Sequence, residues 1–397
     1  MTALEGIQIL DLSYQGPGPF CTAILSDLGA SVTRINPPPG AGARQAAGES
    51  GTREAACSAS NRNKRSIFLN LKSEEGRRIF RLMADRTDVI VEGFRPGVVR
   101  RLGIDYETVS QTNPGVIYCS VTGYGQEGPY RELPGHDVNY ISFAGVLELI
   151  GEAERPPVIP LNLVADYGAG GMSAAIGILS AIIAREKTGR GQYVDISLTD
   201  TTISLLTQVL LDPYLATGNA PRRGEHALSG SYPCYAVYET KDGGFISLGC
   251  LEPWLWESLC REIGREEFIL YNMTRARVPE EEPKWQEIRE HLTQLFLTRT
   301  RDEWFEQMRD KNIPIGKVLS LEEVFADPQV LHRRMVIELE HPTEGRVRQV
   351  GIGIKLSDTP GRFRSFASLA GEDTDEVLMG LGYTAAQIEE LRRAGVI

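Results

Sequence analysis

The feature that most constrains the fold is an alternation of short apolar runs with helical patterns along the first half of the chain. Each run has the length and the continuous apolar character of a buried strand. Strands that alternate with helices are typical of βαβ units, so the pattern predicts an α/β fold with a parallel sheet. The predicted strands are residues 6–12, 31–36, 66–71, 88–94, 116–125 and 192–198.

The loops that follow the predicted strands locate the expected ligand site. Ser73 opens one predicted helix, and Asp166 opens a longer and more apolar one. In open α/β sheets, ligands bind beyond the carboxyl ends of the strands. The segments EGFRPG and SVTGYGQEGPY begin near such ends. We therefore expect both segments to contact a ligand.

The second half of the chain has a different character. A segment rich in proline, glycine and serine, PRRGEHALSGSYP, predicts a linker between domains. A hairpin around a Lys-Asp-Gly-Gly turn and three helical patterns follow it, which predicts a small α+β domain. The predicted boundaries are 1–200 for a large domain, 201–228 for a linker helix and connection, 229–331 for a small domain, and 332–397 for a strand-rich C-terminal segment.

The net charge of −11 argues against general nucleic-acid binding, because such binding depends on neutralising phosphates. The negative net charge does not exclude a phosphate-bearing ligand, because one local basic cluster is enough to bind it. Such a cluster is present, and it is either a binding site or a solvated basic face: Arg53, Arg62, Lys64 and Arg65. The cysteine spacing matches neither a disulfide framework nor a zinc site. No secretory leader and no apolar run approaching ~18 residues is evident. We expect a cytoplasmic protein without a metal, a membrane or a nucleic-acid partner.

Three side chains are candidates for acid–base chemistry. His136, in PGHDVNY, can titrate near neutral pH, or it is a loop histidine beside a helix that Asp137 caps. Asp166 is either a helix cap or a base whose pKa apolar surroundings raise. Glu252 precedes Pro253 at a predicted helix start, where a carboxylate is common. These residues come from distant segments, so their types alone do not bring them together.

Several blocks, in the right order and over most of the chain, resemble the superfamily of class III CoA-transferases and α-methylacyl-CoA racemases. The match leans to the racemases, which carry a GHD block, an aspartate before a glycine-rich helix and a glutamate in an EP pair. The transferases usually lack the histidine and the glutamate. The matching blocks are NKRSIFLNLKSEEG, EGFRPGVVRRLGIDYETV, TGYGQEGPYRELPGHDVNY, LNLVADYGAGG, GRGQYVDISL and GSYPCYAVYETKDGGFISLGCLEPWLWESLC.

The resemblance implies a particular architecture and a particular ligand. A Rossmann-like large domain with a parallel sheet would be completed by the C-terminal segment, and a smaller α+β domain would be reached through long connections. Two chains would interlock as a homodimer, with active sites made from both. The substrate would be an acyl-CoA thioester, and no separate cofactor is expected because coenzyme A is part of the substrate.

The resemblance also implies a set of nucleotide contacts. The side chains expected near coenzyme A, together with the backbone that lines its pocket, are Arg95, Arg101, Lys64, Phe94, Gly16 and Pro17. One segment departs from the family pattern. The family commonly has an acidic residue and then arginine after its second strand, as in I-E-RP-G, whereas this chain has RINPPPG with Asn36 and Pro37. That difference removes a usual nucleotide contact.

The function implied is a 2-methylacyl-CoA racemase or epimerase that works by two-base 1,1-proton transfer through an enolate. His136 and Asp166 would be the bases on opposite faces, Glu252 would hold His136, and the backbone N–H near Asp137 would stabilise the enolate. In the alternative, a family III CoA-transferase, Asp166 would be a nucleophile that forms acyl anhydrides. A third reading is a catalytically silent homologue that binds acyl-CoA esters.

Overall fold

The structure is a computed structural model of the chain, and it describes residues 1–39, 52–274 and 278–397. Gly40, the last residue of the RINPPPG segment, lies outside the described residues. The chain divides into two compact units. The first unit comprises Met1–Ala144, Pro160–Leu206 and Pro328–Ile397, and the second comprises Gly145–Ile159 and Thr207–Asp327.

The strands and helices have the following bounds. The strands are β1 (Gln8–Asp11), β2 (Ser31–Asn36), β3 (Lys64–Phe68), β4 (Val89–Glu92), β5 (Ile117–Thr122), β6 (Tyr193–Ser197), β7 (Tyr235–Glu239), β8 (Phe245–Gly249), β9 (Ile315–Lys317), β10 (Val336–His341) and β11 (Gly345–Val350). The α-helices are α1 (Pro17–Asp27), α2 (Thr52–Cys57), α3 (Glu74–Ala84), α4 (Val98–Leu102), α5 (Tyr106–Val109), α6 (Asp137–Phe143), α7 (Val146–Leu149), α8 (Met172–Thr188), α9 (Leu198–Leu205), α10 (Asp212–Thr217), α11 (Pro253–Glu262), α12 (Glu282–Phe296), α13 (Arg301–Met308), α14 (Leu321–Val324), α15 (Pro328–His332), α16 (Thr374–Gly380) and α17 (Ala385–Arg393). Two π-helical segments cover Leu163–Gly171 and Thr207–Leu211, and short 3-10 turns cover Ala227–Ser229, Glu266–Phe268 and Pro279–Glu281.

A six-stranded parallel sheet with the order β3-β2-β1-β4-β5-β6 organises the first unit. The predicted α/β class with a parallel sheet is confirmed. Val89, Ile90 and Val91 of β4 are fully buried, as expected for a strand that helices cover on both faces. The order is that of a Rossmann fold, and its direction of winding changes between β1 and β4. Ligands of such sheets bind at that change of direction, beyond the carboxyl ends of the strands.

The C-terminal segment packs into the core of the first unit. The predicted helix start at Ser73 is confirmed, since its hydroxyl accepts a hydrogen bond from the Gly76 N–H at 2.9 Å. Helix α3 buries Ile79 and Phe80 in the same apolar cluster that holds Ile388 of α17. The C-terminal helix α17 therefore shares one core with α3, although about 300 residues separate them along the chain.

The long apolar helix starts earlier than the sequence suggested. Its π-helical part begins at Leu163 after the N-cap Asn162, so the prediction that Asp166 opens the helix is wrong. The whole helix, Leu163–Thr188, has 26 residues and is long and apolar enough to cross a membrane by length and composition alone. The expectation that no apolar run approaches that length is therefore corrected. Helix α8 packs against α1, β5 and β6. The core helices of soluble proteins can be equally long and apolar.

The second unit has a core of its own around a three-stranded sheet. The predicted hairpin forms as β7 and β8, and β9 adds an antiparallel strand. The three predicted helical patterns form α11, α12 and α13, and they bury Trp256, Phe296 and Trp304 in one cluster with Ile246. The structure also places Gly145–Ile159 in this unit, whereas the sequence-based boundaries put that segment in the large domain, 1–200.

Candidate active site

A cavity of about 1060 Å³ opens where the strands of the first unit end. Its walls come from the segments that follow β1, β4 and β5, and from the start of the long apolar helix. This is the place where parallel sheets of this order bind ligands, and the volume is at the upper end for ligand pockets. The predicted site residues that line it are Gly16, Pro17, Phe94, Arg95, His136 and Asp166.

The Asp137 carboxylate joins two parts of this site. Asp137 is the first residue of α6 and is 2% exposed. Its Oδ2 accepts hydrogen bonds from the Ala165 N–H at 2.7 Å and from the Asp166 N–H at 2.8 Å. The side chain therefore fixes the backbone that carries Asp166 relative to the residue after His136. The Asp137 side chain itself does not line the cavity.

The Asp166 side chain is half-buried and faces the cavity. Its Oδ2 accepts a hydrogen bond from the Asn162 amide at 3.3 Å. Burial raises the pKa of Asp166 and the charge of Asp137 adds to that rise, whereas the Asn162 bond and His136 oppose it. Gly16 lies against this carboxylate, because a Cβ on Gly16 would stand 3.3 Å from Asp166 Oδ2. This carboxyl is therefore more readily protonated than a surface aspartate.

His136 caps α6 through its backbone and leaves its ring exposed at the cavity. The His136 N–H donates to Asn139 Oδ1 at 3.0 Å, and its carbonyl accepts from the N–H groups of Asn139 and Tyr140. In the first turn of a helix, the leading N–H groups have no acceptor within the helix. Those of Asp137 and Val138 occupy these positions beside His136. They can donate to a ligand oxygen that gains negative charge.

The expected nucleotide residues fall into two groups. Arg95 is exposed at the cavity, and Phe94 packs edge-on against Tyr14 with ring centroids 5.9 Å apart. Gly16, with φ of 65°, caps α1, and Pro17 is its first residue. Arg101 is exposed on α4 and does not line the cavity. The remaining residue, Lys64, is held inside the protein.

Lys64 lies beneath the cavity rather than in its wall. It is 2% exposed, and its Nζ donates to the Pro19 carbonyl and to Thr22 Oγ1, both at 2.8 Å. The same nitrogen is 3.7 Å from Asp11 Oδ2. Burial lowers the pKa of Lys64 to about 8, which the Asp11 carboxylate opposes. In this structure Lys64 holds the first turn of α1, which forms part of the cavity floor.

The basic sequence cluster does not form one surface. Arg62, which precedes β3, is 2% exposed and forms an ion pair with Asp27 at 2.6 Å. Arg65, on β3, is 57% exposed in its side chain and pairs with Glu376. Glu252 belongs to the second unit, where it is the half-buried N-cap of α11. The predicted helix start at Pro253 is confirmed.

Sequence reasoning missed a buried acid that supports the EGFRPG segment. Glu92, at the end of β4, is 1% exposed and accepts a hydrogen bond from the Phe94 N–H at 2.7 Å. Its other oxygen accepts from Ser120, whose hydroxyl accepts in turn from the Tyr193 hydroxyl at 2.8 Å. Burial raises the pKa of Glu92 to about 7. The sequence contained one signal for this role of Glu92, since an acidic residue ends an apolar strand where the predicted ligand segment EGFRPG begins.

Comparisons with known proteins agree with this architecture. A family model described as CoA-transferase family III matches residues 4–374. Alpha-methylacyl-CoA racemase of Homo sapiens is 32% identical over 395 residues, which cover 100% of this chain and 97% of that protein. Succinyl-CoA:glutarate CoA-transferase of Homo sapiens is 32% identical over 400 residues, which cover 99% and 90%. The crystal structure of a CAIB/BAIF family protein from Brucella suis superposes with a TM-score of 0.79 at 29% identity, covering 96% of this chain and 99% of that one.

Proposed function

This chain belongs to CoA-transferase family III, and from that premise we propose that it is a racemase or epimerase of 2-methylacyl-CoA thioesters. The family includes racemases and transferases of equal similarity to this chain, so the choice between them depends on the site. The observation that carries the proposal is that His136 and Asp166 line one cavity while the buried Asp137 carboxylate ties their segments together. Two titratable groups at one site are what proton transfer between two faces of a carbon requires.

In the proposed reaction one base removes the proton from the carbon between the methyl group and the thioester carbonyl. The electron pair of that C–H bond moves into the carbonyl, and an enolate forms. The other residue, which is protonated at that moment, returns a proton to the opposite face of the same carbon. His136 and Asp166 thereby exchange protonation states, and no redox or metal chemistry enters the step. A carboxyl whose pKa burial raises is suited to both halves of this exchange.

The enolate oxygen needs hydrogen-bond donors where its charge develops. The first turn of α6 supports this part of the proposal, since the N–H groups of Asp137 and Val138 begin the helix next to His136. Preorganised backbone donors of this kind contribute strongly to catalysis because they need no reorientation during the reaction. We propose that the substrate carries its own coenzyme A and that no separate cofactor takes part.

A transferase reaction is the second candidate, because a CoA-transferase is as similar to this chain as the racemase is. In that reaction the Asp166 carboxylate would attack the thioester carbonyl, the C–S bond would break, and an acyl anhydride and free coenzyme A would form. A second carboxylic acid would then complete the exchange. His136 has no part in these steps, so its position at the cavity favours the racemase.

Incubation in heavy water with acyl-CoA esters, with and without free carboxylic acids, separates the two reactions. A racemase incorporates deuterium at the α-carbon and interconverts the epimers of a 2-methylacyl-CoA without any acid. Mass spectrometry and chiral chromatography of the hydrolysed acids measure both. Acyl transfer that needs a free acid, with no deuterium at the α-carbon, would overturn the racemase proposal.

Variants of the two bases sharpen the test. His136→Ala and Asp166→Asn should each lose interconversion by ~10² or more, the usual size of a general-base contribution. Each variant should retain slow exchange with one enantiomer, and the preferred enantiomer should be opposite in the two. His332→Ala, which changes an exposed histidine of α15, is the control and should leave the rate unaltered. Near-normal turnover of His136→Ala would contradict the two-base reading.

A further inference from the structure

Arg34 is a buried arginine at the cavity whose Nε has no hydrogen-bond partner among the described residues. Arg34 lies on β2, is 8% exposed, and lines the cavity. Its Nε has no hydrogen-bond partner among the described residues, and no carboxylate in that part of the chain forms an ion pair with it. A buried cation without a partner is costly, so an arginine retained in this state requires an explanation.

The nearest buried carboxylate on the neighbouring strand is already balanced. Asp11 stands opposite Arg34 in the register of β1 and β2 and is fully buried. It accepts hydrogen bonds from the Ser13 N–H at 2.9 Å and from the Thr22 hydroxyl, and it lies 3.7 Å from Lys64 Nζ. Asp11 and Lys64 thus offset each other. Arg34 forms no ion pair with any carboxylate among the described residues.

The described residues that follow Arg34, residues 35–39, contain no cationic side chain. Asn36 is 6% exposed and its amide donates to Ser66 Oγ at 2.8 Å, so it faces the interior, and Pro37 has no side-chain donor. Arg34 is therefore the cationic group that β2 contributes to this cavity. A guanidinium presents donors in a planar fork that matches two oxygens of a phosphate.

We propose that Arg34 binds a phosphate group of the coenzyme A portion of the substrate. The inference rests on the proposed function, in which the cavity holds an acyl-CoA thioester. A phosphate oxygen would supply the hydrogen-bond acceptor that the described residues do not give Arg34 Nε. Arg95, in the segment that follows β4, lines the same cavity as Arg34 of β2, so two arginines from different segments are available to the nucleotide.

Isothermal titration calorimetry with CoA and with 3′-dephospho-CoA tests the inference. The variants are Arg34→Met, which keeps a side chain of similar length, and Arg65→Met as the matched control. Arg65 precedes Ser66 on β3 and stands opposite Thr33, so it points to the other face of the sheet. Arg34→Met should weaken CoA binding by about 10-fold or more, the size expected for a charge-assisted hydrogen bond, and Arg65→Met should bind normally.

The unliganded proteins give a second readout. Loss of an unpaired buried cation should leave the melting temperature of Arg34→Met equal to that of the wild type or above it. Should that variant fold poorly, Arg34→Lys keeps the charge without the fork and should bind CoA with intermediate affinity. If Arg34→Met weakens the binding of CoA but not of 3′-dephospho-CoA, Arg34 binds the 3′-phosphate. If it weakens the binding of both ligands, Arg34 binds the diphosphate. Equal CoA affinity of wild type and Arg34→Met would overturn the inference, whereas a wild type that binds no CoA would overturn the proposed function itself.

Discussion

Two substitutions of Asp137 distinguish its hydrogen bonds to the backbone at Ala165 and Asp166 from the effect of its charge on the Asp166 pKa. In Asp137→Ala the N–H groups of Ala165 and Asp166 lose their acceptor inside the protein. A buried donor without a partner costs about 1–3 kcal/mol, so the two together predict a loss of about 2–6 kcal/mol in the free energy of unfolding. Urea denaturation measures this loss directly.

Asp137→Asn keeps an oxygen for both N–H groups and removes only the charge. Burial is the main cause of the raised Asp166 pKa, and the Asp137 charge adds to it. Removal of that charge should lower the Asp166 pKa, because the ionised carboxylate then meets less repulsion. The acid limb of the pH profile of kcat/KM should therefore move to lower pH. Asp137→Asn should fold and should keep part of its activity.

Asp105 offers a matched control for both variants. It is also a buried aspartate at a helix start, and its carboxylate accepts from the Thr108 N–H at 3.1 Å and from the Thr108 hydroxyl at 2.9 Å. Asp105→Ala should cost about 0.5–2 kcal/mol in stability, as loss of a cap does, and should leave the pH profile unchanged. An acid limb of Asp137→Asn that coincides with that of the wild type would refute the electrostatic part of the reasoning. Wild-type stability of Asp137→Ala would refute the structural part.

Two further outcomes are expected. Burial raises the pKa of Glu92 in the folded protein from an ordinary 4.5 to about 7. Protonation of Glu92 therefore stabilises the folded state by about 3 kcal/mol below about pH 4.5, and this stabilisation is lost as the pH rises through 7. Glu92→Gln should reduce the difference in urea stability between pH 5 and pH 8, and an unchanged difference would contradict this. We also expect a homodimer, because Met172, Ile176 and Ile183 of α8 expose apolar side chains; sedimentation of a stable monomer at micromolar concentration would contradict it.

The sequence predicted those parts of the fold whose signals are local. The central strands β4 and β5 are buried along their whole length, and their apolar runs predict them within a few residues of their true ends. Ser73 was found as a cap because its partner, Gly76, lies three residues away. Features that depend on distant partners were not predicted. The burial of Lys64 is one of these, since it follows from Asp11 and Thr22 on other elements.

The hydrogen bonds from the Ala165 and Asp166 N–H groups to Asp137 are the clearest case of a feature that depends on a distant partner. An aspartate that caps its own helix accepts N–H bonds there, which lowers its pKa and occupies its oxygens. In the structure the cap for the N–H groups of Ala165 and Asp166 comes from Asp137, on another helix. Within the described residues, the Asp166 carboxylate accepts only the Asn162 amide at 3.3 Å. Asp166 therefore keeps both a raised pKa and open oxygens at the cavity, and these are the properties that either a base or a nucleophile at this position requires.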